Sequence, residues 1–193
     1  MRYFVCGDKL MAFNGKCGTS TMAWAIVRQF YPDIEEYLRT KVKWAAGTVD
    51  EQMHHNHVPK RTHPNAPVVQ VIREPVSRFR SAVAFMRLED KGKYNIDQIL
   101  DDLENETDVV QTSRGGKLVS NFHFHYQDKF RGDITYFTLS NLQGAADELG
   151  IKVPLIKINS APTKKPDLTP EQEDRVRAFY ADDVKLWEAH GDV

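Results

Sequence analysis

Strand-like and helix-like stretches alternate along the chain, and this alternation limits the folds that it can adopt. Val68–Ile72 is a run of mostly β-branched residues, which predicts a buried strand. Glu74-Pro75 then opens a predicted helix that runs to about Leu88, because proline suits the first helical position and apolar residues follow at helical spacing. Such alternation favours an α/β fold with a largely parallel sheet that helices cover on both faces.

The same alternation continues on either side of this pair. Tyr3 to Cys6 and Leu10 to Phe13 are short apolar stretches that predict a strand leading into a tight loop, and Ser20 to Phe30 predicts a helix. A strand is predicted for residues 134–138, a helix closed by a glycine for residues 140–149, and an extended segment for residues 153–158. The last predicted helix, residues 169–187, starts with a capping-box spacing.

Length and charge set further limits. The chain has 193 residues, enough for one sizeable core, so we expect residues 1–193 to form a single domain. Its 26 Lys and Arg residues nearly balance 27 Asp and Glu residues, and the net charge of -1 provides no global field for a nucleic-acid polymer or an anionic membrane. Any anion site must therefore be local.

The N-terminal residues and the cysteines predict a cytoplasmic, reduced protein. No apolar run reaches the roughly 18 to 20 residues of a spanning helix. Arg2, Asp8 and Lys9 stand where a signal peptide has its apolar core. Cys6 and Cys17 are too few for a disulfide framework or a zinc site built from cysteines alone, so we expect reduced thiols.

A glycine-containing loop follows the first predicted strand, where the chain enters a helix. Backbone N–H groups and the helix dipole converge on an anion at such a place, and hydroxyls and an ammonium add donors, so a phosphate fits. Leu10 and Cys17 replace the first glycine and the magnesium-binding hydroxyl of a Walker loop, which disfavours a magnesium-dependent ATPase or GTPase. The alternative is a turn with a helix cap at Thr19 or Ser20 that binds nothing. The candidate residues are Gly15, Lys16, Cys17, Gly18, Thr19, Ser20 and Thr21.

A second anion signal follows the predicted strand at residues 68–72. Arg73 stands at the carboxyl end of this strand, and Ser81 lies near the second turn of the next helix, so that both can face one phosphate. Arg78 and Arg80 lie about 200° apart on a helix that turns roughly 100° per residue, so they cannot both join this site. For at least one of them we expect a solvated face or a salt bridge to Glu74.

Two clusters of histidines offer a general base or a metal site. His54, His55 and His57 lie in a long predicted loop, residues 47–67. His123 and His125 alternate along a strand predicted at residues 122–126, and on one face of it they would contact an acceptor or cap the sheet. An H-x-H pair can also chelate zinc, but no third ligand stands at a telling spacing.

The two anion signals resemble the donor-binding motifs of sulfotransferases. Lys16-Cys17-Gly18-Thr19-Ser20-Thr21 resembles their 5'-phosphosulfate loop, P-K-C-G-T-T-T, and the segment from Arg73 to Ser81 resembles their 3'-phosphate motif, R-[DE]-P-x-x-R-x-x-S. Four shorter segments are similar to segments of this family, mainly of its carbohydrate-type members. They are His55-Asn56-His57-Val58-Pro59 (H-G-H-x-P), Ser140-Asn141-Leu142 (E-N-L), Asn159-Ser160-Ala161-Pro162 (N-x-S-P) and Tyr180 with Asp182 or Asp183 (Y-x-x-D).

The resemblance implies a sulfotransferase with a P-loop-like three-layer fold, in which a central, mainly parallel sheet is flanked by helices. The enzyme would move a sulfuryl group from its co-substrate, 3'-phosphoadenosine 5'-phosphosulfate, to a hydroxyl, and no metal is expected. Lys16 would steady the departing phosphate at the bridging oxygen, and the hydroxyls and N–H groups of residues 19–21 would hold the 5'-phosphate. Arg73 and Ser81 would hold the 3'-phosphate.

The base and the acceptor complete this hypothesis. The family comparison indicates His57 as the base with His55 as its helper, and a histidine suits because its unperturbed pKa of about 6.5 leaves it neutral and basic near pH 7. His123 and His125 are candidates for acceptor binding. The family expectation is a glycan hydroxyl, and a small acceptor or one bound across a homodimer would also fit. Two other hypotheses stay open, a small P-loop nucleotide kinase or NTPase and a catalytically silent nucleotide-binding protein.

Overall fold

A computed structural model describes residues 3–12, 14–31, 63, 65–89, 94–110, 117–118, 121, 123–128, 132–157 and 164–191. Within this part the strands are β1 (Tyr3–Cys6), β2 (Lys9–Ala12), β3 (Val68–Ile72) and β4 (Ile134–Thr138). The helices are α1 (Thr19–Phe30), α2 (Pro75–Glu89), α3 (Ile96–Glu104), α4 (Leu142–Glu148), α5 (Pro170–Phe179) and α6 (Ala181–His190). A short 3-10 helix at Leu139–Asn141 precedes α4.

The chain divides into two compact units, each built from several segments. The first, here called the sheet unit, consists of Met1–Phe13, Gly18–Ile72 and Lys129–Ser160. The second, here called the helical unit, consists of Asn14–Cys17, Arg73–Asp128 and Ala161–Val193. The chain therefore passes from one unit to the other inside or at the edge of both predicted anion motifs. The single domain predicted for residues 1–193 stays a prediction.

One mixed sheet, with the order β1-β2-β3-β4, holds all four described strands. β1 and β2 form an antiparallel hairpin, whose turn contains Gly7 at φ +65°. β2 pairs with β3, and β3 with β4, in parallel, so that Ala12 lies opposite Gln70 and Ile72 opposite Thr138. These pairings confirm the predicted α/β class, with two parallel contacts and one antiparallel contact between strands.

Strand β3 lies in the interior of the sheet, between β2 and β4. All five of its residues are buried, as expected for a strand covered on both faces. A core cluster joins β1, β2 and β3 through Tyr3, Leu10, Ala12 and Val68. Helix α1 contacts β1, and α4 contacts β3 and β4. None of the helices in the described ranges is long and apolar enough to cross a membrane.

The helical unit packs around the apolar stripe of α2. Its core draws residues from α2, α3, α5 and the segments between them, among them Phe79, Val83, Leu100, Leu103, Phe124, Val176 and Tyr180. The rings of Phe79 and Phe124 meet edge to face, with 5.9 Å between their centroids. Helix α5 begins with the predicted capping box, in which Thr169 and Gln172 bond reciprocally.

The last predicted helix is two helices. The apolar period from residue 169 to 187 predicts one continuous helix, but the backbone leaves helical geometry at Tyr180 (φ -101°, ψ 36°), which separates α5 from α6. The Tyr180 side chain is buried, and its hydroxyl donates to the Phe124 carbonyl oxygen over 2.8 Å. This long-range bond accompanies the break between α5 and α6. Helical periodicity cannot predict such a bond, because its partner lies far away in the sequence.

Candidate functional site

The loop from Asn14 to Gly18 contains two residues in the left-handed region. Lys16 has φ +64°, which is uncommon for a residue with a side chain, and Gly18 has φ +72°. Within the sheet unit, a Cβ on Gly18 would lie 2.9 Å from side-chain atoms of Leu139 and Leu142. Glycine is therefore needed at this position for its conformation and for space. Asn14 and its neighbours at 15 and 17 are buried, and Lys16 is half-buried.

Helix α1 begins without a side-chain cap. Its N-cap is Gly18, so Thr19 and Ser20 lie in the first helical turn, and the alternative of a cap at either residue is wrong. Thr19 and Thr21 are buried and Ser20 is half-buried. The first turn contains no acidic residue, so no carboxylate of its own offsets the positive end of the helix dipole.

Arg73 connects the two motifs within the helical unit. Its Nη1 donates to the carbonyl oxygen of Lys16 over 3.1 Å, and its Nε and Nη2 donate to Ser77 Oγ over 3.1 and 2.8 Å. Only 9% of Arg73 is exposed, and this burial is the main cause that lowers the pKa of its guanidinium. The serine that orients Arg73 is thus Ser77, which sequence reasoning missed. The predicted Ser81 lies one turn further along α2 and is half-buried.

The side-chain amide of Gln127 bonds to both motifs. Its Oε1 accepts from the backbone N–H of Arg73 over 2.9 Å, and its Nε2 donates to the Arg73 carbonyl oxygen over 2.9 Å. The thiol of Cys17 donates to the same Oε1 over 3.1 Å. Cys17 is fully buried, and burial raises the pKa of its thiol to about 12, so it stays protonated at neutral pH. Cys6 and Cys17 are both free, as predicted.

A buried ion pair holds the segment that carries Gln127. Arg78 Nη2 lies 3.0 Å from Asp183 Oδ2, and both side chains are almost fully buried. Asp183 Oδ1 accepts from the backbone N–H groups of Gln127 and Asp128 over 2.7 and 3.0 Å. Arg78 also donates to the His125 carbonyl oxygen over 2.7 Å, and its guanidinium lies over the Tyr180 ring. Asp183 is therefore the aspartate that completes the Y-x-x-D pattern with Tyr180.

The expected salt bridge to the Glu74 carboxylate is not described for the side chain of either Arg78 or Arg80. Arg80 donates to the Pro166 carbonyl oxygen over 2.7 Å and to Asp167 over 2.9 Å. Glu74 instead caps the start of α2, where it accepts from the N–H groups of Val76 and Ser77. The Glu74 carboxylate thus pairs two of the N–H groups that have no partner inside the helix.

Lys165 adds a cation that the motifs do not predict. It follows Lys164 in the segment before α5, and Arg80 bonds to the next residue, Pro166. Burial and the positive charges of Arg73 and Arg80 lower the pKa of Lys165. Arg73 and Arg80 therefore both act electrostatically on Lys165, which indicates a local basic region in a chain of net charge -1.

Phe85 contacts both Lys16 and His123. The Lys16 ammonium lies 4.3 Å from the Phe85 ring centroid, and the His123 and Phe85 centroids are 4.5 Å apart. These two distances limit the separation of the Lys16 ammonium and the His123 ring to at most about 9 Å. The strand predicted over residues 122–126 is wrong, because His123 lies in a turn in which its N–H donates to the Asn121 side chain.

Several predicted site residues lie outside the described part of the chain. They are His54, His55, His57 and the segment 159–162. Among the described residues no group of three or more His, Cys, Asp and Glu side chains is arranged to hold a metal ion. Family models of proteins, curated proteins and solved structures were each compared with the chain, and none matches.

Proposed function

We propose that the protein is a sulfotransferase that moves a sulfuryl group from 3'-phosphoadenosine 5'-phosphosulfate to a hydroxyl, with a glycan or a small molecule as acceptor. The observation that carries the proposal is the junction of Lys16 and Arg73, the leading cations of the two phosphate motifs. The proposal includes the P-loop-like three-layer fold and a cytoplasmic location, for which the mixed sheet and the sequence are the supporting observations.

The hydrogen bonds of Arg73 leave part of its guanidinium available to a phosphate. A guanidinium has five N–H donors, and the bonds to Ser77 and Lys16 use three of them. No ion pair between Arg73 and a carboxylate occurs among the described residues. A buried guanidinium with two remaining donors suits bidentate binding of a phosphate, and we assign Arg73 with Ser77 and Ser81 to the 3'-phosphate.

The basic region around Arg73 supports an anionic ligand of more than one charge. Arg80 is already paired with Asp167, but Lys165 has no described carboxylate partner, and the positive charges of Arg73 and Arg80 lower its pKa. Cations that lie close together repel one another, and a bound anion offsets this cost in free energy. Lys165 therefore joins the residues that we propose for donor binding.

Sulfuryl transfer needs charge stabilisation and one proton acceptor. The acceptor oxygen bonds to sulfur while the bond from sulfur to the bridging oxygen breaks, and that electron pair stays on the departing adenosine 3',5'-bisphosphate. Lys16 would stabilise this charge, with Thr19, Ser20 and Thr21 on the 5'-phosphate, by analogy with phosphoryl transfer. The hydroxyl proton passes to a histidine, for which we propose His57 with His55 as helper. His123, which contacts Phe85 beside Lys16, is the residue that we assign to the acceptor side, together with His125.

No described contact favours a magnesium-dependent kinase or NTPase. Cys17 stands where a Walker loop has its magnesium-binding hydroxyl, and its protonated thiol is buried against Gln127. A thiol in that state is a poor ligand for magnesium, which prefers oxygen.

Thermal unfolding with two nucleotides tests the proposal. Adenosine 3',5'-bisphosphate at about 100 times its Kd stabilises the fold by about 2.7 kcal/mol, which raises Tm by roughly 5 to 11 °C for a chain of this size. Mg-ATP is expected to shift Tm much less. Arg73→Ala should weaken binding about 100-fold, close to 3 kcal/mol for its charged hydrogen bonds. Arg175→Ala, which removes an arginine from a network with Asp101 and Glu104, is the matched control. A shift with Mg-ATP alone would exclude the sulfotransferase.

A further inference from the structure

The Gln127 side chain contacts the backbone of one phosphate motif and the loop of the other. Its amide bonds to the N–H and to the carbonyl of Arg73, as the backbone of a neighbouring strand would, and its oxygen also accepts the thiol of Cys17. Only 1% of Gln127 is exposed. A buried amide of this kind is costly unless donor and acceptor are both used, and here both are.

Gln127 is itself held from two sides. Asp183 accepts the backbone N–H of Gln127, and Arg78 and Tyr180 donate to the carbonyl oxygens of residues 125 and 124. Residues 124–128 have no regular secondary structure, so side chains from elsewhere set their course. The rigid partners are a fully buried ion pair and a buried tyrosine, which have little freedom to rearrange.

We propose that Gln127 is a positioning residue that fixes Arg73 and the Lys16-Cys17 loop relative to each other, so that both phosphates of one donor nucleotide meet preformed partners. It contacts no reacting atom. The chemistry of an amide explains why this residue suits the task, because the Arg73 backbone needs one acceptor and one donor at adjacent atoms, and glutamine presents both. For its effect on ligand binding the proposal rests on the proposed function, but its effect on the two segments does not.

The labelling rate of the Cys17 thiol tests the positioning role of Gln127 without any ligand. In Gln127→Met the chain keeps a side chain of similar size but loses the amide that holds Arg73 and Cys17. Labelling with N-ethylmaleimide under native conditions, read by mass spectrometry, should become at least about tenfold faster at Cys17, since a tenfold change corresponds to about 1.4 kcal/mol, roughly one buried hydrogen bond. Cys6, also free and buried but in the sheet unit, is the internal control and should keep its rate.

Ligand affinity is the second measurement. The Kd for adenosine 3',5'-bisphosphate, from calorimetry, should rise about tenfold in Gln127→Met. Gln70→Met removes another buried glutamine of equal size from β3 and should leave the Kd unchanged. Cys17→Ala removes the thiol that donates to Gln127 and should bind more weakly, whereas Cys6→Ala, in the sheet unit, should bind like the wild type. This pair keeps the proposal testable if Gln127→Met does not fold.

The outcomes separate the positioning role from the function. An unchanged Cys17 rate in Gln127→Met, or equal acceleration at Cys6 and Cys17, overturns the positioning role, because the second result indicates general loosening of the fold. An unchanged Kd in Gln127→Met overturns the link to ligand binding. A wild-type chain that binds no adenosine 3',5'-bisphosphate refutes the proposed function, and the labelling rates then still decide whether Gln127 holds the two segments together.

Discussion

The buried pair of Arg78 and Asp183 allows a quantitative test of what holds the helical unit together. Asp183→Asn keeps an oxygen that can accept from the N–H groups of Gln127 and Asp128, but it removes the negative charge 3.0 Å from the Arg78 guanidinium. The arginine is then a buried cation without its counter-charge. Removing one partner of such a pair costs about 3 to 5 kcal/mol, a large part of a typical stability of about 5 to 15 kcal/mol.

Urea unfolding followed by circular dichroism measures this loss, with an unchanged m value as the sign of intact two-state behaviour. In a thermal experiment the same loss lowers Tm by roughly 6 to 20 °C, at about 2 to 4 °C per kcal/mol for this size. The double variant Arg78→Met with Asp183→Asn removes both charges and should recover much of the loss, because no unpaired charge is left buried. Arg175→Met is the matched control, since the partly exposed ion pairs of Arg175 with Asp101 and Glu104 are worth only about 0 to 1 kcal/mol each.

The reasoning is refuted if Asp183→Asn costs no more than Arg175→Met, or if the double variant is as unstable as the single one. The first result would mean that the pair is solvated in the folded protein. The second would mean that the loss comes from packing rather than from charge.

Four further predictions concern the loop and the chemistry. Lys16→Ala should lower kcat by roughly 10² to 10³, measured with radiolabelled donor, because the departing phosphate loses its ammonium; a kcat within a few-fold of wild type argues against that role. His57→Ala should lower kcat by about 10² to 10⁴ with unchanged nucleotide Kd, and full turnover in this variant combined with loss in His123→Ala would identify His123 as the base. Gly18→Ala should cost about 1 to 2 kcal/mol in urea unfolding, because alanine is strained at positive φ; no loss would exclude a steric need for glycine. Burial raises the pKa of Cys17 to about 12, so the stability that the buried thiol contributes is present at neutral pH and falls above its unfolded value of about 8.5; Cys17→Ala should flatten the alkaline decline between pH 8.5 and 10.5, and an unchanged decline would contradict this cause.

Local patterns predicted the elements that their own residues determine. Residues that are neighbours in the chain determine β3, the start of α2 at Pro75 and the capping box at Thr169, and the structure has these features where they were expected. The sequence predicted a strand before the glycine-containing loop, and the structure has there the hairpin of β1 and β2. Helical periodicity failed at Tyr180, where a buried hydroxyl bonds to Phe124, 56 residues away. A strand pattern failed at His123 because a turn held by Asn121 replaces it.

Some residues of the candidate site were likewise predicted from the sequence, and others were missed. Lys16 and Arg73 were predicted from motifs that place a cation next to a strand end, and the structure joins them through the Lys16 carbonyl oxygen. Ser77, rather than Ser81, holds the Arg73 guanidinium, and the motif spacing alone did not distinguish the two serines. The signal in the sequence was that Ser77, in the first turn of α2, follows Arg73 more closely than Ser81 does.

The sequence by itself determined the α/β class, the two basic motifs and the presence of reduced thiols, because periodicity, turn residues and composition act over a few neighbouring residues. Only the tertiary structure decided which partners these motifs have. Gln127 reaches Cys17 across 110 residues of sequence, and Arg78 reaches Asp183 across 105. Such partners are selected by packing, which excludes water and leaves most buried polar groups with a hydrogen bond inside the protein, and no pattern of adjacent residues records that choice.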